Sequence, residues 1–292
     1  MTNSYTIIDF LNFEKKKIAC LTLDLEQDYG DLLGEPSYKG LEHISHLVDF
    51  FKEKAIPLTC FVQGSILETH PEAVEQLSTL DIEFELHSYS HPGPKEMDTM
   101  LEIQKGREVY RRFFGEDPLG YRSPLGIINS NKDYGILAAN GFKFDSSIFP
   151  SLRPGVFNNL RKPTKPYLMN DSKIIEFPFT VFSDVIRIPI ALSYLKLLGS
   201  PYLYLLKVFN LRNLIVFNFH LHDLFELSSS DKIFLKRTTF VYRRVLKRIY
   251  SKRKLNGLAL LDKFITILQR KRYGFSKLAD VYEEITSKRE ST

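Results

Sequence analysis

Cysteine is nearly absent from this 292-residue sequence, with Cys20 and Cys60 the whole complement. Two thiols cannot form the framework that staples small secreted domains, so nothing argues for secretion, and both lie in apolar, strand-like runs as free buried thiols. The first residues, MTNSYTIIDFLNFEKKK, have no basic stretch followed by an apolar one, so no secretory leader is expected. Long apolar runs are also missing. The greasiest stretch, 186–209, is interrupted by Arg187, Pro189, Lys196, Pro201 and Lys207, which argues against a spanning helix. There is no repeat of fixed period and no low-complexity tract. With 43% apolar and 26% charged residues, disordered, collagen-like and coiled-coil chains are excluded. The expectation is a soluble, cytoplasmic protein, peripheral to a membrane only if its one basic segment touches lipid.

That segment is where the positive charge collects. Residues 231–254 hold ten Lys or Arg and one acidic residue, in a chain whose net charge is +5. A helix over 232–250 would put Val241, Tyr242, Val245, Leu246 and Ile249 on one side, and Arg243, Arg244, Lys247 and Arg248 on the other. Such a cationic face is either solvated or turned to an anionic membrane surface or a lipid-linked phosphate. No recognised nucleic-acid motif accompanies it, so nucleic acid is not an expected partner.

Elsewhere, apolar runs of strand length alternate with segments of helical period, which predicts an α/β fold with parallel strands. Strands are expected at 18–24, 57–62, 82–86, 119–122, 142–145, 174–177 and 214–220. Helices are expected at 41–54, from Pro71, at 97–114, 132–140, 232–250 and 257–272, with 151–172 a long loop. One domain spanning 1–292 is expected, with its core at 18–224 and a helical part at 231–292. The ionisable residues fall at strand ends. Asp24 and Glu26 close the first strand, His87 and His91 follow the third, and Arg122, Asp145 and then His220 with His222 end later ones. In a parallel barrel all strand C-termini open onto one rim, where active sites are built, so these residues would converge.

Each group has a chemical use there. Asp24 and Glu26, at i and i+2 on extended chain, share a face, so one can bind a metal while the other takes a proton. Alone, they and Asp28 would read as strand-end carboxylates in solvent. His87 and His91, four apart, lie on one side of a helical turn and can clasp a metal, with Glu26 as third ligand and one position left for water. Arg122 at the rim can hold a carboxylate ionised. His220 suits general acid duty and Asp145 could orient its imidazole, leaving His222 as a hydrogen-bonded structural histidine.

Taken in order, D-x-E at Asp24–Glu26, H-S-x-x-H at His87–His91, R-S-P-x-G from Arg122, F-D-S-S around Asp145 and F-H-x-x-D/E around His220 resemble the motifs of the polysaccharide deacetylase family. These are the NodB-homology proteins, or family 4 carbohydrate esterases. The resemblance covers roughly residues 18–224. It implies a distorted (β/α) barrel of about seven strands and a divalent metal, most commonly Zn2+. It also implies removal of N- or O-acetyl groups from sugars, with an acetylated sugar or glycan precursor as substrate. It assigns Glu26, His87 and His91 to the metal, Asp24 as base and His220 as acid, with Arg122 steadying Asp24 and Asp145 tuning His220. The Asp-Leu-Glu of the first motif is closer to a D-x-E branch that includes metal-independent amidases of the ureide-hydrolysing type. Such an amidase, or a non-catalytic glycan-binding barrel, is the competing expectation.

Overall fold

The computed structural model describes residues 4–8, 16–30, 35–93, 98–128, 131–153, 157–225 and 256–290. Among these, seven strands form the run of a parallel sheet: β1 (Ile18–Leu25), β2 (Leu58–Val62), β3 (Ile82–Leu86), β4 (Gly120–Tyr121), β5 (Phe144–Asp145), β6 (Ile175–Glu176) and β7 (Leu214–His220), and a short strand at Gly274–Phe275 adds to β1, also parallel. Their order is β7-β1-β2-β3-β4-β5-β6, so the last strand returns beside the first. Register places His220 opposite Asp24, and Asp24 opposite Phe61. No ladder joins β6 to β7 among the described residues. Thr180 spans that side: its N–H donates to the Val216 carbonyl at 3.1 Å, and its Oγ1 accepts from the Val216 N–H at 2.8 Å. The architecture is the expected α/β sheet of parallel strands, drawn around without full ladder closure.

Strand β1 is buried along its whole length because both of its faces are covered. Outward, Ala19, Leu21, Leu23 and Leu25 meet the helices. Inward, Ile18 and Cys20 join Phe61, Phe144, Phe177 and Val216 in a separate cluster. Helix α1 (Ile44–Lys54) packs Ile44, Leu47, Val48 and Phe51, the i, i+3, i+4, i+7 stripe of an amphipathic helix, and ends at Ala55 with φ 51°. Helices α2 (Gly64–Thr69) and α3 (Pro71–Leu77, with Pro at its first turn) follow β2, and α4 (Thr99–Phe114) follows β3. Helix α5 (Asn131–Ala139) precedes β5, α6 (Leu192–Leu198) and α7 (Ser200–Val208) precede β7, and α8 (Leu221–Leu224) caps it. Helix α9 (Gly257–Arg270) begins at Asn256, whose Oδ1 accepts from the Leu258 N–H at 2.9 Å. It lies tight on α8: a Cβ at position 257 would stand 2.1 Å from the Asp223 carbonyl oxygen.

The C-terminal helix α10 (Leu278–Glu290) closes the base of the barrel by inserting Leu278, Val281 and Ile285 into the inner cluster. Glu83 on β3 receives it. Its Oε1 accepts the Leu278 and Ala279 N–H groups at 2.8 and 3.1 Å and the Thr59 hydroxyl at 2.7 Å.

One expectation needs correction. Residues 151–172 contain short strands at Leu152–Arg153 and Phe157–Asn158, paired with each other, and a third at Tyr167–Met169. That third strand extends the sheet antiparallel to β6 and pairs in turn with Tyr5–Ile7. Strands of two or three residues are too short to show a period in sequence. The stretch 186–209 folds into α6 and α7, of nine residues or fewer, which fits the absence of any membrane-spanning helix among the described residues. The expected helix at 232–250, with its basic face, lies outside the described residues.

Candidate active site

Going up the barrel, the inward side chains turn from apolar to ionisable. On β1 the sequence is Ile18, Cys20, Thr22, Asp24, and on β7 it is Leu214, Val216, Asn218, His220. The carboxylates at the top of β1 are not in solvent: Asp24, Glu26 and Asp28 are all buried. Asp28 accepts from the Ser37 hydroxyl and from the N–H groups of Lys39 and Gly40, which fastens the segment leading into α1.

Asp24 is held by Arg122. Its Oδ1 lies 2.5 Å from Nη1 of Arg122, and its Oδ2 accepts from Asn218 Nδ2 at 3.1 Å. The guanidinium is stacked between two rings, 3.9 Å from the Phe61 centroid and 4.4 Å from that of Phe179. Its remaining donors reach the Thr22 hydroxyl and the carbonyl and hydroxyl of Ser146. Every charge in this pair is met, as buried charges require. Burial opposes ionisation of Asp24, yet the Arg122 charge and a bond from His220 hold its carboxyl well below the ordinary range.

Beside it, three ligand atoms converge. Glu26 Oε2 lies 3.0 Å from Nε2 of His87 and 2.7 Å from Nε2 of His91. His87 Nδ1 sits 2.8 Å from the Arg122 carbonyl oxygen. A carbonyl only accepts, so the neutral ring carries its proton on Nδ1 and turns the Nε2 lone pair toward Glu26. A lone pair facing a carboxylate oxygen at that distance needs a cation or a proton between them. Two imidazoles and one carboxylate are the donor set of a zinc-type ion with an open position, and a carbonyl behind a ligating histidine is its usual outer partner. These residues therefore fit a divalent metal.

The two histidines do not sit on a helical turn, as their spacing suggested. Ser88 and His91 have φ 62° and 54°, the left-handed region, at a cost of roughly 1–2 kcal/mol each. The loop is fixed from outside. Ser88 and Tyr89 carbonyls accept the N–H groups of Gly64 and Ser65 at the start of α2, each at 2.9 Å. Glu102 on α4 takes the loop's donors: the Ser88 hydroxyl at 2.5 Å, the Tyr89 and Ser90 N–H groups at 3.0 and 2.8 Å, and the Ser90 hydroxyl at 2.7 Å. Sequence reasoning passed over Glu102. Its signal was a carboxylate inside the buried stripe of α4, one turn before Gly106 and two before Val109.

His220 faces both carboxylates, with Nε2 3.4 Å from Asp24 Oδ2 and 3.8 Å from Glu26 Oε1. Its Nδ1 lies 2.8 Å from Oδ2 of Asp223, three residues on. Burial disfavours the charged ring, but the bonds to Asp223 and Asp24 outweigh it and raise its pKa well above the ordinary value. His222 stacks on His220, with centroids 4.7 Å apart. Burial, then the charge of His220, push it down to about 4. Its Nδ1 accepts the Tyr29 N–H at 3.2 Å, which is the structural use expected of it. That bond places the His222 proton on Nε2, so the close group of His220, His222 and Asp223 is a hydrogen-bonded array and not a ligand set.

Asp145 does not orient His220. On β5, Phe144 points inward to the apolar cluster, so Asp145 points outward, where its strand partner is Glu176. Its oxygens accept the Ser147 N–H and hydroxyl at 3.1 and 2.7 Å, and Ser147 Oγ in turn accepts the Ser123 N–H at 2.7 Å. Asp145 thus braces the turn after Arg122, and the carboxylate behind His220 is Asp223.

Parts of the chain are similar to known proteins. The polysaccharide deacetylase family model matches residues 14–144. A curated peptidoglycan deacetylase of Helicobacter pylori is 30% identical over 125 residues, which is 42% of this chain and 42% of that protein. The match thus spans less than half the length of the relative. Among solved structures, one from Mycobacterium smegmatis assigned to the polysaccharide deacetylases superimposes with a TM-score of 0.63 at 18% identity, covering 98% of this chain and 96% of that one. An allantoinase gives 0.54 at 16% identity, covering 92% and 90%. At these identities the likeness is one of fold.

Proposed function

We propose, for a chain whose residues 14–144 match the polysaccharide deacetylase family model, that it is a metal-dependent hydrolase removing an acetyl or similar small acyl group from a sugar or glycan precursor. One observation carries this reading. A metal-fitting triad, Glu26, His87 and His91, stands beside a carboxylate held ionised by a buried arginine, with a carboxylate-backed imidazole facing both.

Glu26, His87 and His91 hold the ion. When bound, a divalent ion of this kind polarises the acyl carbonyl and lowers the pKa of its water. Asp24 accepts a proton. Because Arg122 keeps it a weak base, it works only on a donor made acidic, and it stays ionised at every working pH. His220 supplies a proton to the leaving amine or alkoxide from Nε2, while Nδ1 remains on Asp223, which fixes the ring plane and favours the charged form. Phe61 and Phe179 exclude water from the Arg122–Asp24 pair and strengthen it.

The test is metal content of protein purified without chelator, joined to an acetate-release screen over N-acetylhexosamines, nucleotide sugars and lipid-linked sugars. Bound divalent metal, and release that stops on chelation and returns with Zn2+, supports the proposal. Turnover of a ureide unaffected by chelator would make the chain a metal-independent amidase on the same fold. Metal-dependent release that persists undiminished in Asp24→Asn would remove the assigned base.

A further inference from the structure

The five residues from His87 to His91 carry two of the three proposed metal ligands on a loop that cannot hold its own shape. Two of the five sit at positive φ, and the segment forms no helical turn. Its outward carbonyls are taken by the start of α2, through Gly64 and Ser65. Four of its donors are taken by a single side chain. Glu102 accepts two amides and two hydroxyls, from Ser88, Tyr89 and Ser90, and is itself buried. A carboxylate, with two oxygens and no donor, is the one side-chain group that can accept four donors at once. It reaches the loop because α4 lies unusually close: a Cβ at Gly106, one turn after Glu102, would meet the Leu86 methyls at 3.1 Å and the Ser88 carbonyl carbon at 3.2 Å. Glu102 and Gly106 share one helix face, the first bonding the loop and the second admitting it.

We propose that Glu102 is the positioning residue of the metal centre: by gathering the four donors between His87 and His91 it sets the separation of their Nε2 atoms, and so the affinity for the ion. It touches neither ion nor substrate and acts through the loop. His87 is also anchored by the Arg122 carbonyl, and His91, in the left-handed region, ends the loop with its carbonyl 3.5 Å from Gln27 Nε2. The inference rests on the metal reading of Glu26, His87 and His91.

The test is Zn2+ affinity of the full-length apo protein, by competition with a chromogenic chelator, and the visible spectrum of the Co2+ form, which reports ligand geometry. Glu102→Ala is expected to weaken Zn2+ binding by about 10–100-fold, the usual effect of removing an outer-shell partner, and to change the Co2+ bands. Glu102→Gln keeps one acceptor oxygen for the donors now on Oε2 and should bind Zn2+ more tightly than Glu102→Ala but less tightly than wild type, a graded order that a role in overall folding alone does not predict. If Glu102→Ala does not fold, the double variant Ser88→Ala/Ser90→Ala decides, since it removes two of the four donors and leaves α4 intact; an intermediate loss is expected. Wild-type protein that binds no Zn2+ would overturn the metal reading and this proposal together. Wild-type binding matched by Glu102→Ala, or by the double serine variant, with unchanged Co2+ bands would overturn this proposal alone.

Discussion

The base and the mouth of this sheet are built on the same strands, Cys20 below Asp24 and Val216 below His220, and hold their side chains by opposite means. At the base, Ile18, Cys20, Phe144 and Val216 pack against Leu278, Val281 and Ile285 of α10 with little need of direction. At the mouth, each buried charge is tied to a named partner: Asp24 to Arg122, His220 to Asp223, Asp28 to the backbone of Lys39 and Gly40. Apolar burial at the base contributes to stability roughly in proportion to area. A buried ion pair roughly breaks even against its desolvation, so the mouth contributes geometry more than stability. Isosteric changes at the mouth should therefore silence the protein without unfolding it, and truncations at the base should do the reverse.

The largest expected effect is at the mouth. His87→Ala should abolish both tight metal binding and turnover, read by metal analysis after dialysis and by acetate release. Full metal content in that variant would break the assignment. Next come Asp24→Asn and His220→Ala, each expected to lower turnover by about two to four orders of magnitude with metal largely retained. Full activity in His220→Ala, with loss in His222→Ala, would move the acid to the other ring. The pH profile gives the sign. A raised His220 pKa keeps the ring protonated past the ordinary histidine range, so kcat/KM should fall only at a pH above about 6.5. Asp223→Asn should shift that fall to lower pH.

At the base, Ile285→Ala should cost about 2–5 kcal/mol in chemical denaturation and leave the kcat of the folded fraction unchanged. The smallest effect concerns Glu83 at the seat of α10, which burial pushes up to about 7, with Glu85 nearby also raised by burial and by Glu83. A carboxyl with a raised native pKa binds its proton more tightly folded than unfolded. Its stabilisation is full below the unfolded value near 4.3 and is lost as pH rises through about 7. Melting temperature should decline across that window, and Glu83→Gln should flatten the decline. An equal decline in the variant would place the titrating group elsewhere.

Much of this contrast was legible in the sequence, because parallel strands buried on both faces leave apolar runs and their ends collect ionisable residues. The convergence of Asp24, Glu26, His87, His91, Arg122 and His220 followed from that rule alone. Asp145 misled because proximity to a strand end says nothing about side-chain parity: one residue's shift turns it from the mouth to the outer layer with Glu176. Spacing also suggested a helical clasp for the two histidines, whereas the loop depends on a helix eleven residues further on, through Glu102. Asp223 lay within the quoted motif, and its three-residue offset from His220 could have marked it as the partner. The two- and three-residue strands at the sheet's far edge carry no readable period.

Arg122 serves the two halves of the mouth with different atoms. Its guanidinium restrains Asp24, and its carbonyl steers His87. Substitution changes the first and spares the second, since every amino acid brings a carbonyl. A substitution here would strand the buried Asp24 carboxylate without its partner while leaving a carbonyl behind His87, so the two halves of the mouth would fail separately.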